Sequence, residues 1–282
     1  MTQMRTSYRA CRRITRRASS TFYLASLLFD HDTKRDVWAL YAFCRIADDI
    51  ADSKDLTPQQ KRHRLGLMRQ AIMTNTASSL EPAIWPAVFS IIKRHKLPKQ
   101  EMIDVLRGVS SDINFKQPTT WEDLDHYSYL VAGVVGILMA RLLGVVQTRT
   151  LEKAKQLGIA MQYTNIIRDV ASDKALKRCY LPYSIMQSAH YRSIDYYHGL
   201  NPDGLITVLT RMGERANKFY RASSTGIDQL HPSYQKPVRI AYQLYYAILV
   251  RAEQKRYNVL EGRIRLNRRE KIALAWREIR RR

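Results

Sequence analysis

Two stretches of this chain carry polar side chains at a spacing suited to cation chemistry. Tyr41, Arg45, Asp48 and Asp52 are separated by four, three and four residues, and Gln162, Asn165, Asp169 and Asp173 by three, four and four. On a helix each set falls in one stripe. Two carboxylates a turn apart repel each other and lose hydration, an unfavourable arrangement unless a cation lies between them. Hard oxygen ligands suit Mg²⁺, which keeps several waters and commonly bridges to a phosphate. Two such faces turned toward each other would hold a few Mg²⁺ ions and, through them, a diphosphate, with Arg45 and Arg168 adding fixed positive charge. A lone DxxxD is most often a solvated face. Here both copies sit in strongly apolar segments with further polar residues in register, and a shared metal site is the better reading.

The segments that position these stripes read as buried helices. Residues 37–52 and 157–173 are apolar almost all round apart from the stripes, as helices inside a larger assembly are. Helical periodicity recurs from end to end and strand alternation is hard to find, so the fold class expected is all-α. Thr57-Pro58-Gln59-Gln60, Thr120 and Asn201-Pro202 look like helix entries. Loops are expected near residues 30–34, 74–82, 115–120, 171–180 and 198–203. With neither a repeat nor a low-complexity linker, residues 1–282 are expected to form a single domain. The longest apolar run, Val131 to Val146, is shorter than the roughly 20 residues of a spanning helix and contains Arg141, so it reads as a buried helix.

Composition narrows the setting. Cys11, Cys44 and Cys179 are far apart with no CxxC pair, which fits a reducing compartment and neither a zinc site nor a disulfide framework. No early apolar stretch of signal-peptide form is present, so a cytoplasmic location is expected. The net charge of +22, from 47 basic and 25 acidic residues, asks for a nucleic acid, an anionic membrane or a phosphorylated substrate as partner. Runs such as Arg12, Arg13, Arg16, Arg17 and Arg280, Arg281, Arg282 are usually solvated, and charge alone selects none of the three.

At its acidic stripes the chain resembles the squalene/phytoene synthase family. The resemblance is carried by Ala18-Ser19-Ser20-Thr21-Phe22, by Leu40 through Asp52, by Tyr129-Leu130-Val131-Ala132-Gly133-Val134-Val135-Gly136, by Ala160 through Asp169 and by Tyr180-Leu181-Pro182. Weaker matches follow at Ala241 through Leu249 and Arg263-Ile264-Arg265-Leu266. The resemblance implies an isoprenoid-synthase-type helical bundle with a central cavity between two facing aspartate-rich helices. It implies Asp48, Asp52, Asn165, Asp169 and Asp173 as ligands of Mg²⁺, for which Mn²⁺ is a substitute, and Arg45, Gln162, Arg168 and Arg263 as diphosphate contacts. Ser19, Ser20, Thr21 and Phe22 would form a substrate flap, and Tyr41, Tyr129 and Tyr245 would line the reaction chamber. Ser172 and Lys177 depart from the family pattern, which has an acidic residue and a glycine there, so a differently ordered 171–180 loop is expected.

The family couples two prenyl diphosphates head to head. One ionises to an allylic cation, the double bond of the other attacks it, and the cyclopropylcarbinyl diphosphate formed ionises in turn. Proton loss then gives phytoene or dehydrosqualene, and hydride from NADPH gives squalene. Phytoene from two geranylgeranyl diphosphates is the product expected, with farnesyl diphosphate as the alternative substrate; NADPH is not expected, since no GxGxxG loop is present. Ala132, Gly136 and Ala140, spaced by four, are expected to leave room for a prenyl tail and not to serve helix packing. The expected partners are the prenyl diphosphates, a transient anionic membrane surface on its inner face, and downstream isoprenoid enzymes. Nucleic acid is not expected, because two acidic faces repel phosphate. A non-catalytic assembly protein would have no need of the aspartates, and a chain-elongating prenyltransferase would carry a doubled aspartate where Asp169-Val170 stands.

Overall fold

Asp30 starts the first acidic helix: its carboxylate accepts from the backbone N–H groups of Asp32 and Thr33, both at 3.0 Å, and α3 then runs His31–Asp52. The loop expected at 30–34 is thereby mostly helix, because an aspartate cap satisfies the N–H groups that a loop would leave to water. The computed structural model describes residues 2–77, 83–260 and 262–280. Before α3 lie α1 (Thr2–Ala18) and the short α2 (Ser20–Ser26), and after it α4 (Pro58–Thr74), α5 (Trp85–His95), α6 (Lys99–Ser111) and α7 (Trp121–Ser128). A π turn, Tyr129–Gly133, leads into α8 (Val134–Leu142), followed by the second acidic helix α9 (Thr148–Ala175). The remainder comprises α10 (Tyr183–Ser188), α11 (Ser193–His198), α12 (Pro202–Ser224), a 3₁₀ turn, α13 (Pro232–Gln254) and α14 (Arg268–Arg280). No strand occurs among the described residues.

The helix entries follow the expected chemistry. Thr57 with Gln60, and Thr120 with Asp123, form reciprocal capping boxes, and Asn201 accepts from Gly204 N at 3.1 Å. Other boundaries differ. α9 continues to Ala175, so the expected 171–180 loop starts only at Leu176 and Asp173 keeps its helical register with Asp169. Of the expected 74–82 loop, residues 78–82 lie outside the described residues, as do Arg281 and Arg282. Lys177 adopts a φ of +57°, the left-handed region that glycine enters without strain. Lys177, standing where the family pattern has glycine, thus occupies a backbone conformation that glycine would adopt at lower cost.

The run Val131 to Val146 is not one uniform helix. It begins in the π turn, continues as α8 and stops before Gly144, whose φ is +84°. The small-residue strip packs as well as lining the central cavity: Ala132, Gly136 and Ala140 all belong to the cavity wall, while a Cβ on Gly136 would lie 2.3 Å from the Ala154 carbonyl oxygen, and one on Gly158 2.2 Å from that of Ala132. The strip lets the π turn and α8 cross α9 backbone to backbone, so it also serves the packing role that the expectation left out.

Two apolar clusters flank the acidic helices. One unites α1, α3, α4, α5, α6 and α8 around Leu40, Phe43, Met68 and Ile91; the other gathers α9, α12 and α13 around Tyr163, Tyr220, Leu209 and Leu244. A buried polar knot ties the first together. Asp36, 2% exposed, accepts from Tyr8 at 2.8 Å, from Arg94 at 2.9 Å and from His95 at 2.7 Å, joining α3 to α1 and α5.

Candidate active site

The two stripes open onto one cavity of about 760 Å³. From α3 come Tyr41, Arg45, Asp48 and Asp52; from α9 come Gln162, Asn165, Arg168, Asp169 and Asp173. Ser19, Ser20, Thr21 and Phe22 reach it from the start of α2, Tyr245 from α13, and Arg263 from the segment before α14. The rest of the wall is largely apolar, with Val131, Val135, Met139, Leu157, Met161 and Ile166 among its residues. Tyr129 is the exception among the expected site residues. It lies outside the lining and packs instead beside His126 and under the Lys155 ammonium. Tyr127 takes its place: with Val131 it stands one turn apart on the cavity side, and a residue two positions on points to another face.

The carboxylates fall into two electrostatic classes. Asp169 is spanned by Arg168 and by Arg263, whose Nε and Nη2 donate at 2.6 and 3.0 Å. Burial raises its pKa, but these two guanidiniums prevail and hold it below the usual carboxylate range. Asp52 accepts from Arg178 at 2.6 Å. Among the described residues, neither Asp48 nor Asp173 takes part in an ion pair. Burial pushes Asp48 up to about 7, with Asp52, Asp112 and Asp49 adding repulsion against the pull of Arg45. Asp173 is pushed up to about 8 by burial, then by Asp169, Asp112 and Asp52, against Arg178. Carboxylates of α3 and α9 therefore feel one another across the cavity.

Three polar groups here escaped the spacing argument. Arg178, 8% exposed, donates to Asp52 and to the Asp112 carbonyl at 3.2 Å, fastening the segment after α9 to α3 and to the end of α6. Asp112 accepts from Tyr180 at 2.8 Å and Tyr127 at 3.0 Å; burial lifts it to about 6 against Arg178 and those hydroxyls. Lys271 of α14 donates to Ser20 at 2.7 Å. Arg178 and Tyr180 were open to discovery beside Leu181-Pro182. Asp112 had no partner at helical spacing and Lys271 lay among many basic residues, so neither gave a signal.

The flap residues hold local geometry as well as the rim. Ser19 caps α2 by accepting from Phe22 N at 3.2 Å, and the Phe22 ring stacks on Tyr41 with centroids 4.7 Å apart. Arg45 pairs with Asp49 one turn on.

The donor set fits a hard cation. Asn165 Oδ1 is buried without a hydrogen-bond partner while its amide donates to Gln162 at 3.3 Å. That orphaned oxygen stands one turn from Asp169 on α9 and belongs to the same cavity wall as Asp48 and Asp173. Among the described residues no three acidic, histidine or cysteine side chains converge as a ready cage. Sparse protein ligation of this kind would suit Mg²⁺, which commonly keeps several waters and bridges to a substrate phosphate.

Comparison with known proteins places this geometry in a lineage. A phytoene synthase from Pseudescherichia vulneris is 32% identical over 265 residues, covering 91% of this chain and 85% of the relative. A 15-cis-phytoene synthase from Pantoea ananas is 32% identical over 267 residues, covering 91% and 85%. The crystal structure of a dehydrosqualene synthase in complex with ligand superposes with a TM-score of 0.86 at 25% identity, covering 99% of this chain and 97% of that one. The family model for squalene/phytoene synthase matches residues 15–270, a span that includes both acidic helices and the cavity between them, and the chain belongs to that family.

Proposed function

We propose that this protein condenses two geranylgeranyl diphosphates head to head, through a cyclopropylcarbinyl diphosphate, to phytoene, releasing two diphosphates. The observation that carries this reading is the convergence of both acidic stripes on a single cavity whose remaining wall is mostly apolar. The phytoene synthases at 32% identity support geranylgeranyl over farnesyl diphosphate.

Asp48, Asp52, Asn165, Asp169 and Asp173 would hold Mg²⁺. Bound there, the ions draw off the charge of the departing diphosphate as Lewis acids. Arg45, Arg168 and Arg263 supply fixed positive charge to the same anion. Two of these arginines are engaged with Asp169, so they are already aimed at the anionic side of the cavity. Phe22, Tyr41 and Tyr245 present aromatic groups where allylic and cyclopropylcarbinyl cations form, an interaction that strengthens out of water. The apolar wall excludes water that would trap those cations as alcohols. Proton loss completes the sequence without a reductant. The protein acts at the inner face of a membrane, to which its excess of basic residues attaches it weakly.

Incubation with farnesyl or geranylgeranyl diphosphate, each with Mg²⁺ and with or without NADPH, followed by mass analysis, tests this. Phytoene from geranylgeranyl diphosphate, unaffected by NADPH, is the expected result. A longer linear prenyl diphosphate would refute head-to-head coupling, and a hydrocarbon formed only from farnesyl diphosphate would refute the choice of substrate.

A further inference from the structure

The last helix has two apolar faces, and only one is used. Ala275 and Leu274 of α14 pack into the cluster around α13. On another side Ile272, Trp276 and Ile279, at positions i, i+4 and i+7, remain 40, 54 and 38% exposed. A helix that only closes a bundle keeps its apolar residues on the packed side, so a second stripe left in water calls for a partner. The charge around it is one-sided. Arg268, Arg269, Arg277 and Arg280 are exposed, Arg280 lying over the Trp276 ring at 4.9 Å, whereas Glu270 is taken up by Arg251 and Glu278 is buried. The helix also borders the cavity, since Lys271 both lines it and reaches Ser20 of α2.

We propose that this face of α14 is the surface by which the protein docks on an anionic lipid bilayer, with Ile272, Trp276 and Ile279 entering the headgroup boundary and the arginines meeting lipid phosphates. An apolar stripe bordered by basic residues is the pattern of helices that lie in a membrane interface. A second copy of the chain is the poorer occupant, since it would bring the same four arginines against themselves. The inference rests on the proposed function only for its purpose: substrates with long hydrocarbon tails then enter from the lipid beside the cavity rim.

Flotation with vesicles of phosphatidylcholine alone or with one-third phosphatidylglycerol tests it, comparing wild type with the triple variant Ile272→Ser, Trp276→Ser, Ile279→Ser. Wild type is expected to float with the anionic vesicles at low salt and to show a blue-shifted tryptophan emission that Trp276→Phe abolishes while floating normally. The triple variant should bind about tenfold less, with unchanged melting temperature and unchanged turnover of detergent-dispersed substrate. Flotation of the triple variant equal to wild type would overturn the proposal, as would equal wild-type binding to neutral vesicles. A wild-type dimer in sedimentation that the triple variant loses would assign the face to a second copy and overturn it too. Vesicle binding without any turnover would refute the enzymatic reading and leave the docking surface standing.

Discussion

Among the described residues Asp48 and Asp173 sit in the cavity without an ion pair, whereas Asp52 and Asp169 are held by arginines. The first two are therefore the carboxylates most penalised in the cation-free protein. Replacing either by asparagine removes repulsion and the cost of burying charge. Asp48→Asn and Asp173→Asn are each expected to raise the melting temperature in the presence of a chelator, and each to lower turnover by about a hundredfold or more. Near-normal turnover in both would sink the assignment. Asp36 gives the opposite case. Burial raises its pKa, but hydrogen bonds from His95 and Tyr8 and the charge of Arg94 outweigh it and hold the group below its ordinary value. A depressed carboxylate contributes stability that is present above its unfolded pKa of about 3.9 and is lost as pH falls through the lower folded value. Asp36→Asn should cost about 2 kcal/mol near neutral pH, a figure kept low because Arg94 is half exposed. Denaturant midpoints should show that gap narrowing below about pH 4.

At the scale of elements, the crossing of α8 over α9 sets how near the acidic helix comes to the rest of the bundle. Gly136 and Gly158 each face a carbonyl oxygen of the opposing segment, and neither backbone can yield as a flexible side chain would. Gly136→Phe is expected to destabilise by roughly 1–3 kcal/mol or more and to depress turnover of farnesyl and geranylgeranyl substrates alike. A preserved melting temperature with selective loss on the longer substrate would show that the tail-channel role outweighs packing at this position. The stripes on α3 and α9 were legible because helical periodicity places every fourth residue on one face whatever the tertiary structure. The crossing was not, since four-residue spacing of small side chains describes a channel and a tight interface equally well. Tyr129 misled for a related reason: a motif match marks a neighbourhood, but only the helix phase distinguishes it from Tyr127. Lys177 was legible as a departure in sequence, but its positive φ was not.

The whole molecule brings together residues that no local pattern connects. Arg178 links α3, the end of α6 and the segment after α9, and Asp112 becomes part of the acidic wall only because α6 ends there. Such groups depend on contacts between residues far apart in the chain, which is why the sequence left them silent. The net charge of +22 was plain from composition, but its placement around α14 was not. Among the described residues no helix is long and apolar enough to cross a membrane.

The proposed function requires the stripes of α3 and α9 to act together on one diphosphate through shared cations. Titration calorimetry with inorganic diphosphate tests it directly, in wild type, Asp48→Asn and Asp173→Asn, with and without Mg²⁺. The expected result is binding that requires Mg²⁺ and weakens about tenfold or more on substitution of either helix. Diphosphate binding of equal strength without the metal, or unchanged in both variants, would contradict it.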